Sequence, residues 1–119
     1  MRTVILGASP KPERYAYKAL QLLAKHRHET VLVNPAYQQI DGQPCLPTLT
    51  AVAGPVDTLT VYLDPSRSEV LVAEIIQLSP RRVIFNPGSE STSLAKQLAA
   101  KGIDVVEACT LVLLQTGQY

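Results

Sequence analysis

The sequence predicts an α/β fold: a three-layer, doubly wound parallel sheet of about five main strands with helices on both faces. Three observations carry this. Short runs of Val, Ile and Leu alternate with stretches of helical spacing. Most of these runs stop at a Gly, an Asn-Pro or an Asp-Pro. The apolar fraction is 46%, with one Phe and no Trp, an aliphatic core that suits strands buried on both faces.

Each element follows from its local pattern. Thr3–Gly7 (TVILG) is an apolar run closed by glycine, a buried strand meeting a tight turn. Pro10 and Pro12 hold the chain out of helix until about Glu13, because each restricts the residue before it. Ala16, Ala19, Leu20, Leu22 and Leu23 then fall at helical spacing, to about Lys25. Glu29–Val33 is a second strand, stopped by Asn34-Pro35. The stretch from Ala36 to Pro55 is less regular: Asp41-Gly42 signals a turn, Cys45-Leu46 a short edge strand, and Leu49–Ala53 one helical turn. Asp57–Leu63 is a strand ended by Asp64-Pro65. Ser66 is the expected N-cap of the next helix, whose apolar face uses Val70, Leu71, Ala73, Ile75 and Leu78. Arg82–Phe85 is a strand followed by the turn Asn86-Pro87-Gly88. A helix from near Thr92 runs through Leu94 and Leu98 to Gly102 as its C′ residue. Ile103–Val106 is the last strand, and Thr110–Leu114 reads either as a short helix or as an extended arm.

At 119 residues the chain is read as a single domain spanning 1–119. A net charge of +1 supplies no field for nucleic acid or an anionic membrane surface, and no basic stripe alternates with aromatics. No apolar run is long enough to cross a bilayer, and the opening strand pattern leaves no signal peptide. Cys45 and Cys109 form no CxxC pair and read as reduced thiols, which points to the cytoplasm.

In a doubly wound sheet, ligands gather outside the carboxyl ends of the strands, where the strand order reverses. Four loops are expected on that rim: Ala8–Glu13, Asn34–Tyr37, Asp64–Arg67 and Asn86–Ser91. In the first, Gly7 permits a close turn, Ser9 offers a hydroxyl, and Lys11 and Arg14 add cations beside a helix N-terminus. This suits phosphate; the alternative is an ordinary turn with a solvated Lys and Arg. In the second loop Asn34 and Pro35 stand where NAD-binding folds carry an acid for the ribose hydroxyls, which makes NAD the less favoured ligand. Tyr37 reads as half-buried packing, with flanking an adenine ring as the alternative. The third loop has Asp64 and Pro65 before a helix start; the fourth offers Asn86, Gly88 and Ser89, either as a passage for a pantetheine-like arm or as a plain loop and cap. His26 and His28 belong to the opposite, amino-end rim. Cys109 lies near the ligand rim, as a reactive thiol or a small core residue. No metal-ligand spacing and no acid–base pair is present, so no catalytic residue is assigned.

Four stretches together carry a family resemblance: Gly7-Ala8-Ser9-Pro10 with Pro12 and Arg14; Val33-Asn34-Pro35; Ile40-Asp41-Gly42 with Cys45; and Phe85-Asn86-Pro87-Gly88 with Glu107-Ala108-Cys109-Thr110. The chain resembles the stand-alone coenzyme-A-binding domains, Rossmann-like proteins similar to the nucleotide-binding domain of the succinyl-CoA ligase α subunit. The resemblance implies that Gly7, Ser9 and Arg14 contact the CoA phosphates, that Asn34 and Pro35 shape the pocket, and that Asp64 and Pro65 border the nucleotide. Those ligases commonly carry a lysine after Val-Asn-Pro, where this chain has Ala36 and Tyr37. They also use a phosphorylated histidine on a second domain, a role no residue here inherits. The expectation is a non-catalytic module for coenzyme A or an acyl-CoA. Two alternatives stay open: a small enzyme acting on a bound dinucleotide or CoA thioester, and an interaction domain that has lost its ligand. The tail Thr110–Tyr119 is a candidate surface for a homodimer or an unknown protein partner.

Overall fold

The computed structural model describes every residue from Met1 to Tyr119. The strands are β1 (Arg2–Leu6), β2 (Glu29–Val33), β3 (Gln39–Ile40), β4 (Gln43–Leu46), β5 (Thr58–Val61), β6 (Arg82–Phe85) and β7 (Asp104–Glu107). The helices are α1 (Tyr15–Lys25), α2 (Pro65–Ser68), α3 (Val72–Leu78), α4 (Thr92–Ala99) and α5 (Thr110–Gln115), with 3₁₀ turns at Leu49–Ala51 and Glu69–Leu71.

All seven strands form one sheet in the order β3-β4-β2-β1-β5-β6-β7. Every pairing is parallel except β3 with β4. From β1 the chain moves outward to β2 and β4, then crosses back to β5 and continues to β7. The order therefore reverses between β1 and β5, and a crevice opens there.

The five main strands expected are β1, β2, β5, β6 and β7; the short β4, also parallel, and the antiparallel β3 raise the count to seven at one edge. Cys45-Leu46 extends β2 as β4, and β3 folds back on it as a hairpin. The Asp41-Gly42 turn has positive φ at both residues, 50° and 77°, the backbone of a two-residue hairpin that keeps the strand twist.

The two faces bury separate cores. Val4, Leu6, Leu59, Val61, Val83 and Phe85 point to one face, under Ile75 of α3 and Leu94 and Leu98 of α4. Ile5 and Leu32 point to the other, under Ala16, Leu20 and Leu23 of α1 and Leu114 of α5. Thr110–Gln115 is a helix, because its apolar positions close this second core beside α1.

One helix differs from expectation. Asp64, not Ser66, is the N-cap of α2: its carboxylate accepts the Arg67 N–H at 3.3 Å, and Pro65 fills the first helical position, where a missing N–H costs nothing. The helix is then interrupted by the 3₁₀ turn at Glu69–Leu71. That tighter winding shifts the rotational phase, so Val70 is 78% exposed while Leu71, Val72 and Ile76 pack on the core.

Candidate functional site

A cavity of about 560 Å³ lies at the carboxyl ends of β1, β2, β5 and β6, lined by the loops that follow them. Gly7, Ser9, Lys11 and Arg14 come from the first loop, Asn34, Ala36 and Tyr37 from the second. Tyr62, Leu63, Asp64 and Arg67 follow β5, and Pro87, Gly88 and Ser89 follow β6. Seven of the ten site residues named from sequence line this one space: Gly7, Ser9, Lys11, Arg14, Asn34, Asp64 and Gly88.

The floor depends on Gly7. Its φ is +91°, and a Cβ there would sit 3.0 Å from Leu63 Cδ2 and 3.3 Å from the Tyr62 carbonyl carbon. The positive φ strains any side chain there, and a Cβ would also press on the segment that follows β5. The Gly7 N–H donates to the Val33 carbonyl at 3.0 Å, tying the floor to β2 as well. Asn34 spans the second seam. Its Nδ2 donates to the Ala8 carbonyl at 2.8 Å, and its Oδ1 accepts the Ala36 N–H at 2.9 Å. Asn34 therefore fixes the first loop against the second.

At the mouth of α1, no side chain caps the helix and no acidic residue stands in its first turn. The Tyr15 and Ala16 N–H groups have no acceptor within the chain, and both residues line the cavity. The Ser9 hydroxyl accepts the Lys11 N–H at 3.1 Å, which shapes the approach to that mouth. Tyr15 is held over the rim by Lys18, whose ammonium lies 5.1 Å from the ring centroid.

Charge is distributed unevenly. Lys11, Arg14 and Arg67 surround the cavity, and none takes part in an ion pair; the two ion pairs, Arg2–Glu29 and Arg81–Asp57, lie elsewhere. The one acid in the lining is Asp64. A hydrogen bond from the Ser66 hydroxyl holds its carboxyl below the ordinary aspartate value, with help from the Arg67 N–H. That carboxylate is occupied as a cap. The Tyr62 hydroxyl is buried without a hydrogen-bond partner, and burial pushes it up to about 12, so it stays protonated. In loop four, a Glu90 carboxylate oxygen accepts the Gly88 N–H at 2.8 Å.

Next to this space is a smaller cavity of about 250 Å³ with largely apolar walls: Leu6, Val33, Pro35, Pro47, Leu49, Leu63 and Leu71. Gly7, Asn34, Leu63 and Arg67 line both spaces, so the two meet at the β1–β2–β5 end.

Three predicted residues sit differently. Pro35 lines the smaller cavity instead of the larger. Pro65 starts α2 and lines neither. Asn86 is 3% exposed, and its amide is fully committed: Nδ2 donates to Thr60 Oγ1 at 2.7 Å and to the Val61 carbonyl at 2.9 Å, and Oδ1 accepts the Thr110 N–H at 2.8 Å. It locks β5, β6 and α5 together behind the loop. Cys109 is half-buried at the N-cap of α5 and lines neither cavity. His28 sits at the amino end beside Tyr119, with ring centroids 4.9 Å apart.

Sequence reasoning assigned no site role to Tyr15 or Tyr62, nor to Arg67, although Arg67 ends one of the expected loops. Arg67 gave no signal of its own, because it stands in the last turn of α2, where a cation is ordinarily favoured.

The fold is a doubly wound sheet with a cavity at its switch point, and a family model covers nearly all of it. The model of the CoA binding domain matches residues 1–115. The chain belongs to the CoA-binding domain family, and its sheet is Rossmann-like. The chain is similar to a solved structure described only as an uncharacterized protein, with 39% identity, 99% of this chain and 97% of that one covered, and a TM-score of 0.93. It is also similar to cell-free ID.343 from Thermus thermophilus, at 28% identity, 99% and 90% coverage, and a TM-score of 0.90. A hypothetical protein from Pyrococcus horikoshii OT3 shares the fold, at 23% identity, 96% and 81% coverage, and a TM-score of 0.91. None of the curated proteins matches the chain.

Proposed function

We propose that the protein is a non-catalytic module that binds coenzyme A or an acyl-CoA across the two cavities at the carboxyl end of its sheet. The observation that carries this is the convergence of unpaired donors on one space. The free Tyr15 and Ala16 N–H groups and the unpaired Lys11, Arg14 and Arg67 all border the larger cavity. A diphosphate supplies the acceptors these groups lack. The smaller, apolar cavity takes the base, and the seam at Gly7 and Asn34 takes the ribose between them.

Asn34 disfavours NAD on physical grounds. Its amide is spent on Ala8 and Ala36, so it offers no carboxylate to a ribose diol. Thiol catalysis by Cys109 has no support either, since Cys109 borders neither cavity. Both cysteines are free thiols, which fits a reducing compartment such as the cytoplasm. The role that follows is to sense the ligand, carry it or present it to another protein.

Calorimetric titration with CoA, acetyl-CoA, NAD and ATP tests the proposal. CoA and acetyl-CoA bind and NAD binds far more weakly; failure of all four at millimolar concentration overturns it. Arg14→Ala weakens CoA by about 1–3 kcal/mol if its guanidinium makes a charge-assisted phosphate bond. Unchanged affinity removes Arg14 from the site.

A further inference from the structure

The two cavities share a single charged residue, Arg67. It stands on α2 after β5, and its backbone is pinned by N–H bonds to both the carbonyl, at 3.0 Å, and the carboxylate of Asp64. Its guanidinium has no ion-pair partner, although each lining contains one acid, Asp64 in the larger and Glu74 in the smaller. Asp64 is engaged by Ser66 and by the Arg67 N–H. Glu74 lines the apolar space with Arg67 but makes no salt bridge to it.

Where a nucleotide crosses from a phosphate cradle to a base pocket, its ribose lies at the junction. Dinucleotide sites that hold an unmodified ribose put an acid after the second strand; sites that accept a phosphorylated ribose replace repulsion with a nearby arginine. Here the residue after β2 is the neutral Asn34, followed by Pro35, Ala36 and Tyr37, so that loop brings neither an acid nor a cation. Arg67, from the opposite wall, is the only cation that borders the apolar cavity.

We infer that Arg67 is a specificity-determining residue that binds a phosphomonoester on the ribose of the bound nucleotide, so the site selects nucleotides by that phosphate. This rests on the CoA assignment for the source of the phosphate, the ribose 3′ position, but the chemistry is shared with a 2′-phosphorylated dinucleotide. The phosphate carries close to two negative charges at neutral pH and suits the planar guanidinium fork.

The test is a matched set of titrations: CoA against 3′-dephospho-CoA, and NADP against NAD, each with the native chain and with Arg67→Gln. The native chain binds CoA about tenfold or more tightly than dephospho-CoA, the size expected of a charge-assisted phosphate bond. Arg67→Gln brings the two within about threefold of each other, mainly by weakening CoA. Discrimination in the NADP–NAD pair instead, lost in the same variant, supports Arg67 as the phosphate reader and assigns the 2′ position. Equal binding of CoA and dephospho-CoA by the native chain, with no NADP preference, overturns the inference while leaving the CoA site standing. Discrimination that survives in Arg67→Gln also overturns it. Failure to bind any of the four overturns this and the CoA assignment together. Circular dichroism and thermal unfolding of Arg67→Gln show a native fold, since Arg67 is exposed and its helix is held through the backbone.

Discussion

The two ends of the same sheet treat their polar groups in opposite ways. At the amino end, where β1, β2, β5 and β6 begin, two arginines find carboxylate partners within the chain, although Arg82 keeps one buried guanidinium nitrogen without a partner. Arg2 Nε meets Glu29 Oε2 at 2.8 Å, and Arg81 binds Asp57 through two nitrogens, at 2.7 and 3.2 Å. Arg82 is buried, donates to Thr58 at 3.1 Å and stacks 4.6 Å from the Tyr119 ring, whose hydroxyl bonds Thr3. At the carboxyl end, three cations and two helix N–H groups are left without partners around an open space. The amino end holds both of the chain's ion pairs, and the carboxyl end holds unpaired cations around a cavity. Local inconsistencies of this kind are expected at functional sites.

The largest expected effect lies between the two ends, in the support of the site. Asn86→Ala leaves the Thr110 N–H and the Val61 carbonyl buried without that partner, and costs about 2–4 kcal/mol in chemical denaturation. A loss below 0.5 kcal/mol would mean the amide is not the lock described. Gly7→Ala forces a side chain to positive φ and against Leu63; it costs about 1–3 kcal/mol and weakens CoA at the same time. An alanine variant of full stability would show that the β1 and β5 ends have room to part.

Lys11→Ala combined with Arg14→Ala sharpens the contrast. Because these side chains are unpaired and exposed, stability stays within about 0.5 kcal/mol, while CoA affinity falls by about 2–4 kcal/mol. Arg81→Ala should do the reverse, costing up to about 1 kcal/mol of stability and nothing in affinity. If both sets changed the same property, the division between the two rims would collapse.

The smallest effect is on pH. The Arg81 hydrogen bond lowers the Asp57 pKa below its ordinary value, against the opposing effect of burial. A depressed folded-state pKa gives stability that is fully present above the unfolded value near 4 and is lost as pH falls through the lower folded one. Unfolding midpoints of native chain and Arg81→Ala therefore converge below about pH 4. Curves that stay apart and parallel through the acid range would show that the difference does not come from the ionised Asp57.

The parallel body of the fold was legible because each buried strand needs an apolar run and each helix an apolar face. Thr3–Gly7, Glu29–Val33 and Arg82–Phe85 show this without ambiguity. The β3–β4 hairpin was only half visible: Asp41-Gly42 marks its turn, but Gln39, Gln43 and Pro44 give no strand alternation. The site divides in the same way. Gly7 and Arg14 stand out because turn glycines and cations near a helix start have few structural uses. Asn86 looked like a loop ligand because a Pro-Gly follows it. The alternation along β6 turns its side chain inward, and the threonines at 60 and 110, polar in otherwise apolar surroundings, were the sign of a buried network.

Amide resonances of Tyr15 and Ala16 during a CoA titration test the central claim most directly. If the free donors at the mouth of α1 receive the diphosphate, both N–H signals move downfield on saturation, while those of Glu29 and Thr58 at the far end stay in place. Binding that shifts the amino-end amides and leaves Tyr15 and Ala16 unmoved would contradict it.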